Sequence, residues 1–287
     1  MVIQIAQVVQ VISFNKLKKA KCMQFICLSF LLISCGSTSQ NTQLNDSIKS
    51  SIKNDNWIKL PIEVKKELIF GILDTGATIS VVNSSLIESI DATKIPLIKL
   101  KVNNQKWCKM FLIKEIIIGG KVFKNVTVVA MDLSHLNIDF IIGMDLIKKY
   151  NWEINFKNDS VEIHQLTKEY HNYNQLHYKK KKQPILDVSI NNENIQLIFD
   201  TGRANSHINL KKKASTDSTS LVLQSDALSE FESKVHYEQA KVIFGKDTLS
   251  NQVIRYDSST PSLIGLDFIR QYDEMIVLPS KKMLLFK

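Results

Sequence analysis

The amino-acid sequence predicts an all-β protein made of two similar halves. Short runs rich in isoleucine and valine, separated by glycine, asparagine and aspartate, recur from residue 57 onward, which is typical of β-strands. The tripeptide Asp-Thr-Gly occurs twice, at Asp74 and at Asp200, each time after an apolar run. Each copy is followed by an apolar-apolar-Gly sequence that ends at Gly143 or Gly265. Because these landmarks come in the same order with nearly the same spacing, we predict two copies of one unit of about 110 residues.

The composition is that of an ordinary globular protein, with 44% apolar and 23% charged residues in a chain of 287. The formal net charge is +9, but four of the lysines precede residue 35 in a stretch without acidic residues. The lysine runs at 179–182 and 211–213 are more typical of solvated segments than of binding patches. Since the sequence also has no nucleic-acid-binding motif, we expect no nucleic-acid partner.

The N-terminal segment has the pattern of an export signal. Four lysines precede an apolar run from Cys22 to Ile33, which is too short to span a bilayer. The following Leu-Ile-Ser-Cys, ending at Cys35, resembles the lipobox of bacterial lipoproteins. The resemblance implies a signal peptide at 1–35, a lipid on Cys35 and a place in the bacterial cell envelope, periplasmic or on the outer membrane. A plain secretory signal or a buried helix is the alternative.

Residues 36–56 are rich in serine, asparagine and glutamine, so we expect a disordered tether there. The first copy spans 57–170 and holds strands near "LIKLKVNN", "FLIKEIIIGG", "KVFKNVTVVAM" and "DFIIG". The Gly-Gly pair between the second and third of these strands predicts a tight hairpin turn.

Residues 171–182 are polar and basic, and we predict an interdomain linker. The second copy spans 183–287, with strands at "PILDVSI", "IQLIFD", "AKVIFG", "SLIGLDFI" and "KKMLLF". Cys108 lies in a strand pattern of the first copy and is interpreted as a buried or strand thiol rather than a nucleophile, because no histidine motif accompanies it.

The motifs "ILDTGAT", "EIIIGGKVFKNVTV" and "DFIIGMDLI" resemble those of the retropepsin-like aspartic proteases. The first copy matches this family closely and the second copy more loosely. The resemblance implies two tandem β-barrel lobes in a bilobal, pepsin-like arrangement, in which Asp74 and Asp200 form one catalytic pair. Two carboxyl groups about 3 Å apart share a single proton, because both cannot ionise together.

The resemblance also assigns roles to the residues around the pair. Thr75 and Thr201 would brace the two loops through their hydroxyl groups, and Gly76 and Gly202 would permit the tight turns. Gly143 and Gly265 would let a neighbouring strand pass close to each loop. A β-hairpin around "KVNNQKWCKMF", with Asn103 and Asn104 at its tip, would cover the cleft of the first lobe, and Trp107 could contact substrate.

The two loops differ at one position, which is Ala77 in the first copy and Arg203 in the second. Ala77 has no hydroxyl that could bond to the carboxylate. Arg203 either points to solvent, which we expect because a long side chain reaches water easily, or folds onto Asp200 and fixes it as an anion. Asp145 and Asp267 follow the glycines at matched positions and are interpreted as helix N-terminal caps. His207 is interpreted as a solvated or strand histidine.

We therefore predict an aspartic endopeptidase that acts on polypeptides through a proton-sharing pair and an activated water. It would be a monomer held to the membrane by its lipid, with no metal and no organic cofactor. One alternative is an inactive lipoprotein that binds extended peptides in the same cleft. Another is an enzyme that is active only when the first lobes of two chains pair.

Overall fold

The computed structural model describes residues 47–49, 56–102, 106–165, 169–180, 183–209, 219–225, 230–255 and 262–287. The predicted signal peptide and Cys35 lie outside these residues. The described chain consists of β-strands, two helices of four residues and three short 3₁₀ turns. The predicted all-β class with two tandem retropepsin-like lobes is confirmed.

The first lobe is a seven-stranded sheet that closes on itself. Its strands are β2 (Lys59–Val64), β3 (Glu67–Leu73), β4 (Val81–Asn83), β5 (Thr93–Val102), β6 (Lys106–Ile118), β7 (Lys121–Met131) and β8 (Phe140–Ile142). Their order in the sheet is β2-β3-β8-β4-β7-β6-β5, and a further pairing of β2 with β6 closes the barrel. The predicted hairpin turn lies between β6 and β7, where Gly119 and Gly120 both have positive φ, as a two-residue turn of this kind requires.

The second lobe repeats this arrangement. Its strands are β12 (Lys179–Lys180), β13 (Pro184–Ile190), β14 (Glu193–Phe199), β15 (His207–Ile208), β16 (Thr219–Ser225), β17 (Glu230–Phe244), β18 (Asp247–Arg255) and β19 (Leu263–Ile264). They form one sheet in the order β12-β13-β14-β19-β15-β18-β17-β16, with an additional pairing of β13 and β17. In both lobes the strand that leads into the Asp loop pairs in parallel with the apolar-apolar-Gly strand, as β3 with β8 and as β14 with β19.

A third sheet joins the lobes. It contains β1 (Ser47–Lys49), β9 (Asn151–Asn155), β10 (Ser160–His164), β11 (Asn174–His177), β20 (Glu274–Leu278) and β21 (Met283–Phe286). Its order is β1-β10-β9-β20-β21-β11, so strands of the first lobe pair directly with strands of the second. Helices α1 (Met144–Ile147) and α2 (Leu266–Ile269) each follow an apolar-apolar-Gly strand.

Two predicted segments have more structure than we expected. The stretch at 36–56, predicted to be a disordered tether, contains β1, which pairs with β10 because an edge strand leaves backbone groups unpaired. The predicted linker at 171–182 contains β11 and β12. In this segment Asn174, Leu176 and Tyr178 are buried, whereas the residues between them are exposed. This alternation is typical of a strand with one buried face, and β11 is an edge strand of the joining sheet.

One apolar core runs through both lobes and the joining sheet. Trp152 of β9, Phe140 of β8, Phe199 of β14 and Phe286 of β21 are all fully buried in this cluster. A smaller cluster of the first lobe contains Ala77 of the Asp loop. Because the main core is shared, the lobes have a fixed relative position, which the site between them needs. Within the described residues, no helix is long and apolar enough to cross a membrane.

Candidate active site

The two Asp-Thr-Gly loops meet between the lobes. Each loop begins where a buried strand ends, β3 for Asp74 and β14 for Asp200. The amide of Asp74 donates to the carbonyl of Ile142 at 3.0 Å, and the amide of Asp200 donates to that of Ile264 at 3.0 Å. The parallel strand beside each loop therefore fixes the backbone position of its aspartate.

The threonines of the loops hold the lobes together with four hydrogen bonds. The Thr75 hydroxyl donates to the Phe199 carbonyl at 2.7 Å and accepts from the Thr201 amide at 3.1 Å. The Thr201 hydroxyl donates to the Leu73 carbonyl at 2.8 Å and accepts from the Thr75 amide at 3.1 Å. All of these groups are buried, so each bond is protected from water and strongly disfavours separation of the loops.

Each loop glycine lies against the carboxyl group of the opposite lobe. A Cβ atom added to Gly76 would be 2.3 Å from Cγ of Asp200, and one added to Gly202 would be 2.3 Å from Cγ of Asp74. Any side chain at either position would displace a carboxyl group. Gly143 and Gly265 permit a second close approach, since a Cβ there would be 2.7 Å from the Ile79 backbone and 2.8 Å from the Arg203 carbonyl oxygen.

Asp74 and Asp200 are buried, and each carboxyl group lies against the glycine of the opposite loop. Burial raises the pKa of Asp74 well above its usual range, and the charge of Asp200 and the hydrogen bond with it raise this pKa further. Burial also raises the pKa of Asp200. Here, however, the charge of Arg203, the hydrogen bond from Asp74 and the amides of Gly202 and Gly76 oppose the increase. Burial thus favours protonation of the pair, whereas the influences that stabilise a negative charge are more numerous at Asp200 than at Asp74.

The backbone donors around the pair differ between the loops. The Ala77 amide donates to Oδ1 of Asp74 at 2.8 Å, so position 77 contributes a hydrogen bond although its side chain cannot. In the second loop the Gly202 amide donates to Oδ1 of Asp200 at 2.9 Å. Each carboxylate thus accepts one backbone N–H group from its own loop, but from a different position of that loop.

Arg203 is half-buried and its charge acts on the pair. It is the largest influence that lowers the pKa of Asp200 against the effect of burial, and it lowers the pKa of Asp74 as well. The charge of Arg203 thus favours the ionised form of both carboxyl groups.

Asp145 and Asp267 do not cap the helices in the way that we predicted. The N-cap residues are Gly143 and Gly265, and the acidic residues lie in the first turn. The Asp145 carboxylate accepts from the Ser80 hydroxyl at 2.8 Å, and that hydroxyl accepts from the Gly143 amide at 3.1 Å.

The second lobe repeats this contact. The Ser206 hydroxyl donates to Asp267 at 2.5 Å and accepts from the Gly265 amide at 2.8 Å. These serines therefore connect each Asp loop to the strand and helix behind it. His207 is a buried strand residue, so the solvated alternative for it is wrong.

Each lobe carries a long hairpin between its Asp loop and its apolar-apolar-Gly strand. The hairpin predicted in the first lobe is formed by β5 and β6, and its predicted tip, Asn103 and Asn104, lies outside the described residues. Trp107 near this tip is 63% exposed, which leaves its ring available for contact with a ligand. Cys108 is a buried thiol of β6, as predicted. The corresponding hairpin of the second lobe, β16 and β17, was not predicted.

Two further residues of the site were missed. The indole of Trp57 donates to the carbonyl of Gly202 at 3.2 Å, and the amide of Gln183 donates to the carbonyl of Gly76. Trp57 and Gln183 are 126 positions apart, as are Asp74 and Asp200. The repeat was therefore a sequence signal that could have identified them.

Comparison with known families agrees with this geometry. Residues 61–146 match the family model described as aspartyl protease. The matched segment runs from β2 into α1 and contains the first Asp loop. No curated protein matches the chain. The match supports an aspartic protease kind of function. The second lobe lies outside the matched residues, and strands β13 to β19 follow the same order in its sheet as β2 to β8 do in the first lobe.

Proposed function

We propose that this protein is an aspartic endopeptidase whose active site forms between the two lobes of one chain. The observation that carries the proposal is the pair of buried carboxyl groups of Asp74 and Asp200, which lie on two loops that meet between the lobes and whose pKa values are raised by burial. A carboxylate beside a carboxylic acid can activate a water and polarise a carbonyl at the same time.

The asymmetry of the pair assigns the two chemical roles. Asp200 removes a proton from a water placed between the carboxyl groups, while the water oxygen bonds to the carbon of the scissile amide. Asp74 gives its proton to the carbonyl oxygen, which produces a neutral tetrahedral diol. The proton on Asp200 then passes to the amide nitrogen as the carbon–nitrogen bond breaks, and Asp74 regains a proton from one of the hydroxyl groups.

The substrate in this proposal is an extended polypeptide. The β5–β6 and β16–β17 hairpins offer strand edges to which a peptide main chain can pair. The exposed indole of Trp107 on β6 adds an apolar surface next to the first hairpin tip. We place the enzyme in the bacterial envelope, anchored by a lipid on Cys35, because the apolar run and the lipobox-like sequence precede a polar segment.

The four threonine hydrogen bonds between the lobes support a site within one chain over a site made by the first lobes of two chains. An inactive peptide binder remains the second candidate, and the observation that favours it is Arg203. Its positive charge beside Asp200 stabilises the ionised pair and opposes proton sharing.

Cleavage of a mixed peptide library by the purified full-length protein in detergent tests the proposal. We expect cleavage that pepstatin inhibits and that Asp74→Asn and Asp200→Asn each abolish, because the members of a catalytic unit act together. Asp91→Asn is the matched control, since Asp91 is exposed and has a positive φ that asparagine accepts readily. Peptide binding without cleavage would refute the peptidase proposal in favour of the binder.

A further inference from the structure

The segments just before the first strand of each lobe cross to the opposite Asp loop. Trp57 precedes β2 of the first lobe, and its indole N–H bonds to the second-lobe glycine Gly202. Gln183 precedes β13 of the second lobe, and its amide N–H bonds to the first-lobe glycine Gly76. The two contacts are related by the same repeat as the aspartates, so they are two instances of one arrangement.

The two donors share a function but not a shape. Tryptophan and glutamine have different sizes and polarities, yet each presents one N–H group to the carbonyl of the equivalent glycine. Packing alone would not require a donor at both positions. Both side chains form a hydrogen bond to the opposite loop, which indicates that the role of a residue at this position is to donate that bond.

The accepting carbonyls are next to the carboxyl groups. The amide group that joins Gly76 to Ala77 accepts from Gln183 through its oxygen and donates to Oδ1 of Asp74 through its N–H at 2.8 Å. One peptide unit thus separates Gln183 from a carboxylate, and a hydrogen bond at one end of an amide strengthens the donor at the other end.

The second accepting residue, Gly202, lies so close to Asp74 that a methyl group on Gly202 would collide with the Asp74 carboxyl group. The bond from Trp57 holds that glycine in place. The segment containing Trp57 is itself anchored, because its ring packs on the cluster around Ala77 and the next residue, Ile58, accepts from the Leu73 amide at 3.0 Å.

We infer that Trp57 and Gln183 are positioning residues that fix the two Asp loops across the lobe interface. They form an outer pair of crossing hydrogen bonds around the inner set made by Thr75 and Thr201. The inner set holds the start of each loop, and the outer pair holds its glycine. Together they restrict both ends of the segment that carries each carboxyl group. This inference rests on the proposed function, because the position of the carboxyl groups matters for catalysis.

The test removes the donors and keeps the bulk of the side chains. Trp57→Phe and Gln183→Met, singly and together, are compared with Trp152→Phe and Gln196→Met in the full-length protein. Trp152 is a matched control because its buried indole donates to Ile147 at 2.9 Å within one lobe. Gln196 is an exposed glutamine of the second lobe that donates to Asp187 at 2.9 Å.

We expect each donor-removing variant to lower kcat about tenfold or more, with KM changed by less than about twofold, because small misplacements of reacting groups are costly. The two control variants should keep kcat, even where Trp152→Phe lowers the melting temperature as much as Trp57→Phe does. Should Gln183→Met fail to fold, Gln183→Asn takes its place, since it keeps the amide but is too short to reach Gly76.

A second measurement needs no substrate. NMR titration of ¹³C-labelled aspartate carboxyl groups should show two well-separated midpoints for the pair in the unchanged protein, and closer midpoints in the double variant. An unchanged titration and kcat in the folded double variant would overturn the inference, as would an equal loss of kcat in Trp152→Phe. If the unchanged protein cleaves no peptide, the proposed function fails, and the titration alone then decides the inference.

Discussion

Replacing Thr201 by valine should destabilise the protein through the contact between its lobes. Valine has nearly the shape of threonine, so the change removes the hydroxyl and leaves the packing in place. The hydroxyl bonds to two buried groups of the first lobe, the Leu73 carbonyl at 2.8 Å and the Thr75 amide at 3.1 Å. Each group would lose its partner from the other lobe, and an unsatisfied buried polar group costs about 1–3 kcal/mol. We therefore expect the free energy of unfolding to fall by roughly 2–6 kcal/mol.

Urea denaturation followed by fluorescence measures this loss, with extrapolation to zero denaturant. Thr127→Val is the matched control, since Thr127 is a partly buried threonine on β7, within the first lobe. A surface-like change of this kind usually alters stability by no more than about 0.5 kcal/mol. A loss below about 1 kcal/mol for Thr201→Val, or a loss equal to that of the control, would refute the argument that these buried bonds hold the lobes together.

Three other changes test separate parts of the proposal. Arg203→Ala removes the charge that is the main influence lowering the pKa of Asp200 and that also lowers the pKa of Asp74. Both pKa values should therefore rise, and the pH profile of cleavage should move to higher pH. A move to lower pH would contradict this account. Asp74→Asn removes a carboxyl group whose pKa burial raises, and such a group contributes stability at acid pH that is lost as the pH rises through its folded pKa. The melting temperature of this variant should therefore exceed that of the unchanged protein at pH 7.5 more than at pH 4, whereas Asp91→Asn should show no such difference. Cys35→Ala should leave the protein unprocessed or release it from membrane fractions, and a processed variant that stays bound would place the anchor elsewhere.

The sequence predicts the strands and the two loops well because their signals are local. The apolar run before Asp74, the Gly119–Gly120 turn and the repeated apolar-apolar-Gly strands are each defined within about ten residues. The duplication then suggests that the aspartates belong to one site. In this protein, as in others, such local patterns carry most of the information about secondary structure.

Contacts between the lobes were harder to predict, since they depend on how two separate units are placed. The joining sheet pairs β9 with β20, which are about 120 residues apart, and no local pattern specifies that register. The alternation of Asn174, Leu176 and Tyr178 was available as a strand signal, but the neighbouring lysines hid it. To predict Trp57 and Gln183 from the sequence, the repeat has to be extended toward the N-terminus of each copy, where the two equivalent residues are of different types.

Within the Asp-Thr-Gly tripeptides the two copies are identical, and there the threonines and glycines fit closely against the opposite loop. Thr75 and Thr201 are the same residue because each must fit the other loop, and so are the glycines that follow them. Positions 77 and 203 differ between the copies, with a buried alanine in the first and a half-buried arginine in the second. A site made from two identical chains has two equivalent carboxyl groups, and nothing in such a site decides which one holds the proton. Two copies in one chain allow a single charge beside Asp200, and this charge is the main influence that lowers the pKa of Asp200 but a minor influence on the pKa of Asp74, so the pair is asymmetric before any substrate binds.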